Sequence, residues 1–80
     1  AWAAELGPRG ITVNTVSPGM TATDLLFEVT PKEKLDQHVL ETPLGRLGQP
    51  QDIADVVAFL CSEEARWLTA NNLLANGGVG

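Results

Sequence analysis

The 80-residue sequence contains one cysteine, one histidine and five basic residues, and these scarcities exclude several function classes at once. A lone Cys61 cannot build an internal disulfide framework. Cys61 and His38 together fall short of the four ligands that a structural zinc site usually takes, so no metal site is expected. Ten acidic residues outweigh the five Lys and Arg, giving a net charge of -5 and a pI near 4.5. Nucleic-acid affinity comes from clustered Lys and Arg, so a nucleic-acid partner is not expected. No apolar run approaches the ~20 residues of a membrane span, so no membrane partner is expected either. No charged and apolar leader marks a secretion signal, which together with the single cysteine places the expected location in the cytoplasm. Internal repeats and low-complexity runs are absent.

What is present is globular in composition, with 44% hydrophobic and 19% charged residues. At this length the chain is one small domain at most, below the usual ~100–150 residues. It begins with Ala1 in what reads as the end of a helix with no cap ahead of it. The chain is therefore expected to be a piece of something longer or a processed product.

The segment Ala1–Leu6 is rich in helix formers, Gly7 supplies the expected left-handed cap, and Pro8 prevents continuation. Ile11–Val16 is β-branched except for Asn14, which predicts a strand, and Ser17-Pro18-Gly19 ends it. Thr21 to Val29 holds a short helix. Thr30, Pro31 and Glu33 form an expected capping box for a second helix, whose apolar anchors are only Leu35, Val39 and Leu40. A long excursion of this kind between regular elements reads as a cover or binding loop. Pro43–Pro50 is a loop punctuated by Gly and Pro. Pro50 opens the clearest helix, to about Ser62, with Ile53, Val56, Val57 and Leu60 on one buried stripe and Asp52 in its first turn. A last strand is expected around Leu73-Leu74-Ala75, stopped by Asn76-Gly77-Gly78.

The order helix, strand, excursion, helix, strand implies two parallel strands joined by a right-handed crossover. Two parallel strands cannot cover their own faces, so the layers imply that part of the fold lies elsewhere.

Few side chains carry chemistry by themselves. Ser17 lacks a nucleophile elbow and a placed histidine and reads as a turn serine. His38 reads as a solvated residue on a surface helix, and Cys61 as a small core residue. Asp52 and Asp55 read as helix-surface charges, and Trp2 and Trp67 as packing anchors. Ser17-Pro18-Gly19 falls at the carboxyl end of a predicted parallel strand, where open α/β sheets bind ligands. By itself the dipeptide reads first as a plain turn and only second as a place where a flat ring approaches without meeting a Cβ.

Taken together, Gly7-Pro8-Arg9-Gly10-Ile11-Thr12-Val13-Asn14 followed by Ser17-Pro18-Gly19 resembles the short-chain dehydrogenase/reductase family. The same holds for Pro43-Leu44-Gly45-Arg46-Leu47-Gly48-Gln49-Pro50-Gln51-Asp52-Ile53-Ala54, and for Thr69 followed by Asn76-Gly77-Gly78. The resemblance runs over nearly the whole chain, in order and in register, and matches the C-terminal part of that family. It implies an α/β chain that is the C-terminal fragment of a Rossmann-type doubly wound parallel sheet. Residues 1–19 would be a helix end, strand and Pro-Gly turn, residues 20–42 a substrate lid, and residues 43–80 a crossover helix and last strand.

The resemblance further implies an NAD(P)-dependent oxidoreductase that transfers hydride between nicotinamide and a small carbonyl or alcohol substrate, with NAD or NADP as cofactor. Pro18 and Gly19 match the turn beside the nicotinamide ring. Thr21 falls where a backbone amide meets the carboxamide, and Thr23 matches the threonine that bonds the carboxamide or the phosphates. The lid side chains Leu25, Leu26, Phe27, Leu35 and Val39 would shape the substrate pocket, and Asn14 matches a structural strand asparagine. The family's Ser-Tyr-Lys set is expected upstream of Ala1, since this chain has no tyrosine. Ala70-Asn71 departs from a usual Gly-Gln, and Asn76 from a usual Asp. A homo-oligomer, or association with the N-terminal half, is expected. The alternative from another class is a non-catalytic fragment or self-associating module.

Overall fold

The computed structural model describes residues 2–79; Ala1, the first residue of the expected opening helix, and Gly80 lie outside the described residues. Helix α1 spans Trp2–Leu6, strand β1 Thr15–Pro18, α2 Asp24–Val29, α3 Lys32–Glu41, α4 Pro50–Leu60 and strand β2 Asn72–Ala75, with short 3₁₀ turns at Gly7–Arg9 and Glu63–Ala65. The two strands pair in parallel, Thr15 opposite Asn72 through Pro18 opposite Ala75. Helix α4 packs on both of them. This is the expected α/β unit of a Rossmann-type sheet.

The first strand starts later than its β-branched residues predict. Residues 11–14 lead up to the ladder, but two of them are held by a loop instead of a neighbouring strand. Val13 N–H donates to Thr69 Oγ1 (3.0 Å), and Ala70 N–H donates to Val13 C=O (2.7 Å). Asn14 donates from Nδ2 to Leu68 C=O (3.0 Å) and accepts at Oδ1 from Asn71 N–H (3.2 Å). Side chains here do the work that a ladder does further on. Asn14 is thus the clamp that joins the start of β1 to the approach of β2. Ser17 is a strand residue, not a turn residue, and its hydroxyl donates across the ladder to Asn72 Oδ1 (2.8 Å).

Three local expectations are corrected. The left-handed cap is Gly10 (φ +76), because Gly7 opens a 3₁₀ turn that carries the chain three residues further. The Thr30–Glu33 capping box does not form. Thr30 instead closes α2, its N–H bonded to Leu26 C=O, and Pro31 becomes the N-cap of α3 without a side-chain cap. Cys61 is exposed and not a core residue.

The interior is thin. Ala65 is the buried hydrophobic residue among the described ones, while Trp67 is 95% and Trp2 72% exposed. The tryptophans therefore anchor nothing within these residues. The radius of gyration is 15.5 Å, against about 12 Å for a compact domain of this length. Among the described residues the sheet has one helix packed on it and two open edges, which is the incomplete layering that two parallel strands predict.

Ala70 is the one non-glycine residue with positive φ (+59) among the described residues. A left-handed alanine costs roughly 1–2 kcal/mol from Cβ crowding against its own carbonyl. Glycine removes that strain but raises the entropy of the unfolded chain. Ala70→Gly is therefore expected to stabilise the protein by about 0.5–1 kcal/mol, read as a raised Tm. An unchanged or lowered Tm would contradict this account of the strain.

Candidate functional site

Pro18 and Gly19 sit where both parallel strands end. Gly19 N–H donates to Ala75 C=O (3.1 Å), extending the ladder by one bond past Pro18. A Cβ at Gly19 would lie 2.8 Å from Asn76 Cβ and 2.9 Å from Asn76 Cα. Close approach of two backbones therefore requires glycine here, a reason that is independent of any ligand. Pro18 is exposed and Gly19 half-buried.

The chain then bridges to the loop before α4. Gly48 N–H donates to Met20 C=O (2.9 Å) and Ala22 N–H donates to Gly48 C=O (2.7 Å), a parallel bridge between Thr21 and Gly48. This pattern uses the groups on either side of Thr21 and turns its own N–H and C=O the other way. Thr21 Oγ1 donates to Gly19 C=O (3.1 Å), tightening the turn. Two residues on, Thr23 is the N-cap of α2, and its Oγ1 accepts from Leu26 N–H (3.2 Å). A threonine hydroxyl that accepts one bond still has a proton to donate. Pro18, Gly19, Thr21 and Thr23 thus form one continuous stretch from the end of the sheet to the first turn of α2.

The five apolar residues of the excursion divide. Phe27, Leu35 and Val39 line one hollow of about 390 Å³ together with Leu47. Leu26 is half-buried, and Leu25 is 67% exposed and stands apart from that hollow. The pairing follows from spacing: Leu35 and Val39 are one helical turn apart on α3, so they present one face.

Some structuring residues escape a reading of the sequence alone. Asp52 does more than complement a helix dipole. Its carboxylate accepts from Gln49 N–H (2.7 Å) and takes both Arg46 guanidinium nitrogens, at 2.7 and 3.3 Å. The Arg46 guanidinium, with help from the Gln49 amide, holds the Asp52 carboxyl below the usual carboxylate range. No local spacing rule joins residues six apart across a Gly-Pro loop, so only the folded loop reveals this pair. Thr42 is the buried polar residue, 4% exposed, with Oγ1 donating to His38 C=O (2.6 Å). Its position four residues after His38 is a recognisable signal for such a back-bond. Asn76 accepts at Oδ1 from Gly78 N–H (3.0 Å) and donates from Nδ2 to Val79 C=O (2.8 Å). That second bond needs an amide, so the departure from aspartate at this position has a structural use.

Among the described residues no group of three or more His, Cys, Asp or Glu is placed to hold a metal ion, and no helix is long and apolar enough to cross a membrane.

The family described as enoyl-(acyl carrier protein) reductase matches residues 1–80. The chain is 49% identical over 76 residues to the uncharacterized oxidoreductase YmfI of Bacillus subtilis, covering 95% of this chain and 31% of that protein. Among solved structures it resembles a short-chain dehydrogenase/reductase (glucose/ribitol dehydrogenase) from Brucella melitensis, with TM-score 0.89 and 42% identity over 99% of this chain and 31% of that one. It also resembles the angucycline C-6 ketoreductase LanV with bound NADP, with TM-score 0.84 and 40% identity over 98% of this chain and 30% of that one. The chain therefore spans about a third of the length of the proteins it matches. A family match over every residue, and a parallel αβ unit that superposes on those structures, lead to one conclusion: this chain belongs to the short-chain dehydrogenase/reductase family.

Proposed function

We propose that the protein carrying this segment is an NAD(P)-dependent oxidoreductase that moves hydride between nicotinamide and a carbonyl or alcohol substrate. In this reading residues 1–19 bring the Pro-Gly turn to the cofactor, residues 20–42 are the substrate lid, and residues 43–80 brace both. The observation that carries the reading is the stretch from Pro18 to Thr23 at the carboxyl ends of two parallel strands, where ligands of open α/β sheets bind.

The residues suit a nicotinamide. The Thr21 amide faces away from its bridge to Gly48 and bonds no other group among the described residues. The Thr23 hydroxyl keeps a proton to donate, and Pro18 offers an exposed rigid surface. When bound, the nicotinamide supplies or accepts the hydride. This chain's part is to orient the ring and carboxamide and to enclose the substrate, with Phe27, Leu35 and Val39 as apolar walls. The relatives include a ketoreductase with bound NADP, which supports a ketone substrate and NADP as one of the two cofactors.

The test is turnover by the full-length protein. Loss of NADPH or NADH absorbance with a panel of moderately hydrophobic ketones is the expected result. A folded full-length protein that oxidises neither nicotinamide with any carbonyl, nor reduces either with any alcohol, would reject the reading.

A second reading has one observation behind it. Trp67, Leu40 (81% exposed), Leu44 (71%) and the open edges of a two-stranded sheet leave the 80-residue chain short of cover. The isolated chain is then a non-catalytic, self-associating module. It is expected to elute as dimers or larger species in size-exclusion with light scattering. A stable 8.5 kDa monomer would contradict this.

A further inference from the structure

An unbroken path of packed and bonded groups runs from the Pro-Gly turn to the end of α3. At one end, the Gly19 Cα hydrogen faces Asn76, where even a Cβ would be 2.8 Å from Asn76 Cβ. Asn76 Oδ1 fixes the turn that follows by accepting from Gly78 N–H (3.0 Å). Within that turn Gly77, at φ +68, leaves only a hydrogen against Thr42; a Cβ there would lie 2.8 Å from Thr42 Cγ2. A Cβ at Gly78 would lie 3.0 Å from Pro43 Cγ. Leu44 N–H donates to Gly77 C=O (3.1 Å), so the seat is bonded as well as packed. Thr42 in turn ties its hydroxyl to His38 C=O and its N–H to Val39 C=O, closing the last turn of α3. The two glycines here thus serve a purpose beyond ending β2. They let Thr42 and Pro43, the residues that follow the 32–41 helix, sit directly against the turn after β2, next to the sheet end that carries Pro18 and Gly19.

We infer that Gly77 is a positioning residue for substrate. It sets the height of the α3 terminus above the sheet, and through it the distance between the apolar wall of Leu35 and Val39 and the cofactor turn. The inference rests on the reading of residues 20–42 as the lid, and it names what holds that lid in register. A side chain at 77 would lift α3 without touching Pro18, Gly19, Thr21 or Thr23. Its effect should therefore fall on substrate and spare the cofactor.

The test is Gly77→Ala in the full-length protein, alone and together with Thr42→Ser. Serine keeps the hydroxyl that caps His38 and deletes the methyl that the new Cβ meets. Two readouts are taken: amide exchange over residues 38–42, and steady-state kinetics. Gly77→Ala is expected to speed exchange at these amides. It should also raise KM for the carbonyl substrate about fivefold, with kcat and cofactor KM within about twofold. Thr42→Ser is expected to restore both. The strain of a left-handed alanine remains in the double variant, so a loss that comes from that strain alone would not be restored. Unchanged exchange in Gly77→Ala overturns the seat. Faster exchange with an unchanged KM overturns the positioning role, as does a raised KM that Thr42→Ser leaves in place. If Gly77→Ala does not accumulate, Thr42→Val carries the test, since it keeps the methyl and removes the cap. It is expected to raise KM about threefold, and an unchanged KM overturns the inference. A protein with no nicotinamide-dependent turnover before any substitution fails the functional reading itself, and the exchange measurement still judges the seat.

Discussion

Gly19→Ala in the full-length protein is expected to cost about 2–3 kcal/mol of stability and to lower kcat/KM roughly tenfold or more. The added Cβ meets Asn76 Cβ at 2.8 Å and Asn76 Cα at 2.9 Å. One of these is backbone, so no rotamer change relieves the clash. The ends of β1 and β2 must part, and the bond from Gly19 N–H to Ala75 C=O lengthens with them. Pro18, the adjacent residue, moves in the same displacement. Thermal unfolding and kinetics of the variant check both parts. Adding Asn76→Gly deletes the side-chain half of the clash and leaves the backbone half, so it is not expected to restore the wild-type values. Full rescue by that second change would show that the side chain of Asn76, and not close backbone approach, is what demands glycine.

Asn14→Ala is expected to destabilise the protein by about 2 kcal/mol, with a fall of several degrees in Tm. Two backbone groups lose their partner at once: Leu68 C=O, which Asn14 Nδ2 meets, and Asn71 N–H, which Asn14 Oδ1 meets. The loop between them carries the left-handed Ala70, so it has little capacity to find substitutes. Asn14→Asp makes the assignment sharper. Aspartate can still accept from Asn71 but sets a carboxylate against the Leu68 carbonyl. It is expected to be no better than alanine. An aspartate variant as stable as the wild type would remove the Nδ2 bond from the account.

The contrast between these two positions shows where sequence reading succeeds and fails for this chain. The α4 helix was legible because Pro50 at its start and the spacing of Ile53, Val56, Val57 and Leu60 are local signals, but the burial of that stripe was not, since Val57 is 46% exposed. The parallel pairing was legible because a helix separates the β-branched run at 11–16 from a short apolar run stopped by Asn76-Gly77-Gly78. The start of β1 was not, since it depends on whether the partner of residues 11–14 is a strand or a loop, and that partner lies more than fifty residues away. Thr30 and Glu33 fit a capping pattern, but Thr30 was already committed to closing α2, a competition that the pattern does not encode. The tryptophans read as core by residue type and stand in solvent, because burial depends on surfaces that these residues do not supply to one another. At the candidate site, the stretch Pro18 to Thr23 was readable as a motif. The reason for glycine at 19 was not, because Asn76 is remote in sequence and adjacent only after folding.

The parallel ladder has a consequence for synthesis. Asn14 and Thr15 find their partners, Asn71 and Asn72, 57 residues further along the chain. A ribosome adds about 5–20 residues per second, so roughly 3–11 seconds separate the emergence of the two strands. Helices form in microseconds or less, so α2, α3 and α4 have ample time to form while Thr15–Pro18 still waits. Through that interval β1 has no Asn72–Ala75 to pair with. Neighbouring nascent chains on one polysome carry this same unpaired edge, a template for pairing between chains until Asn72–Ala75 emerges.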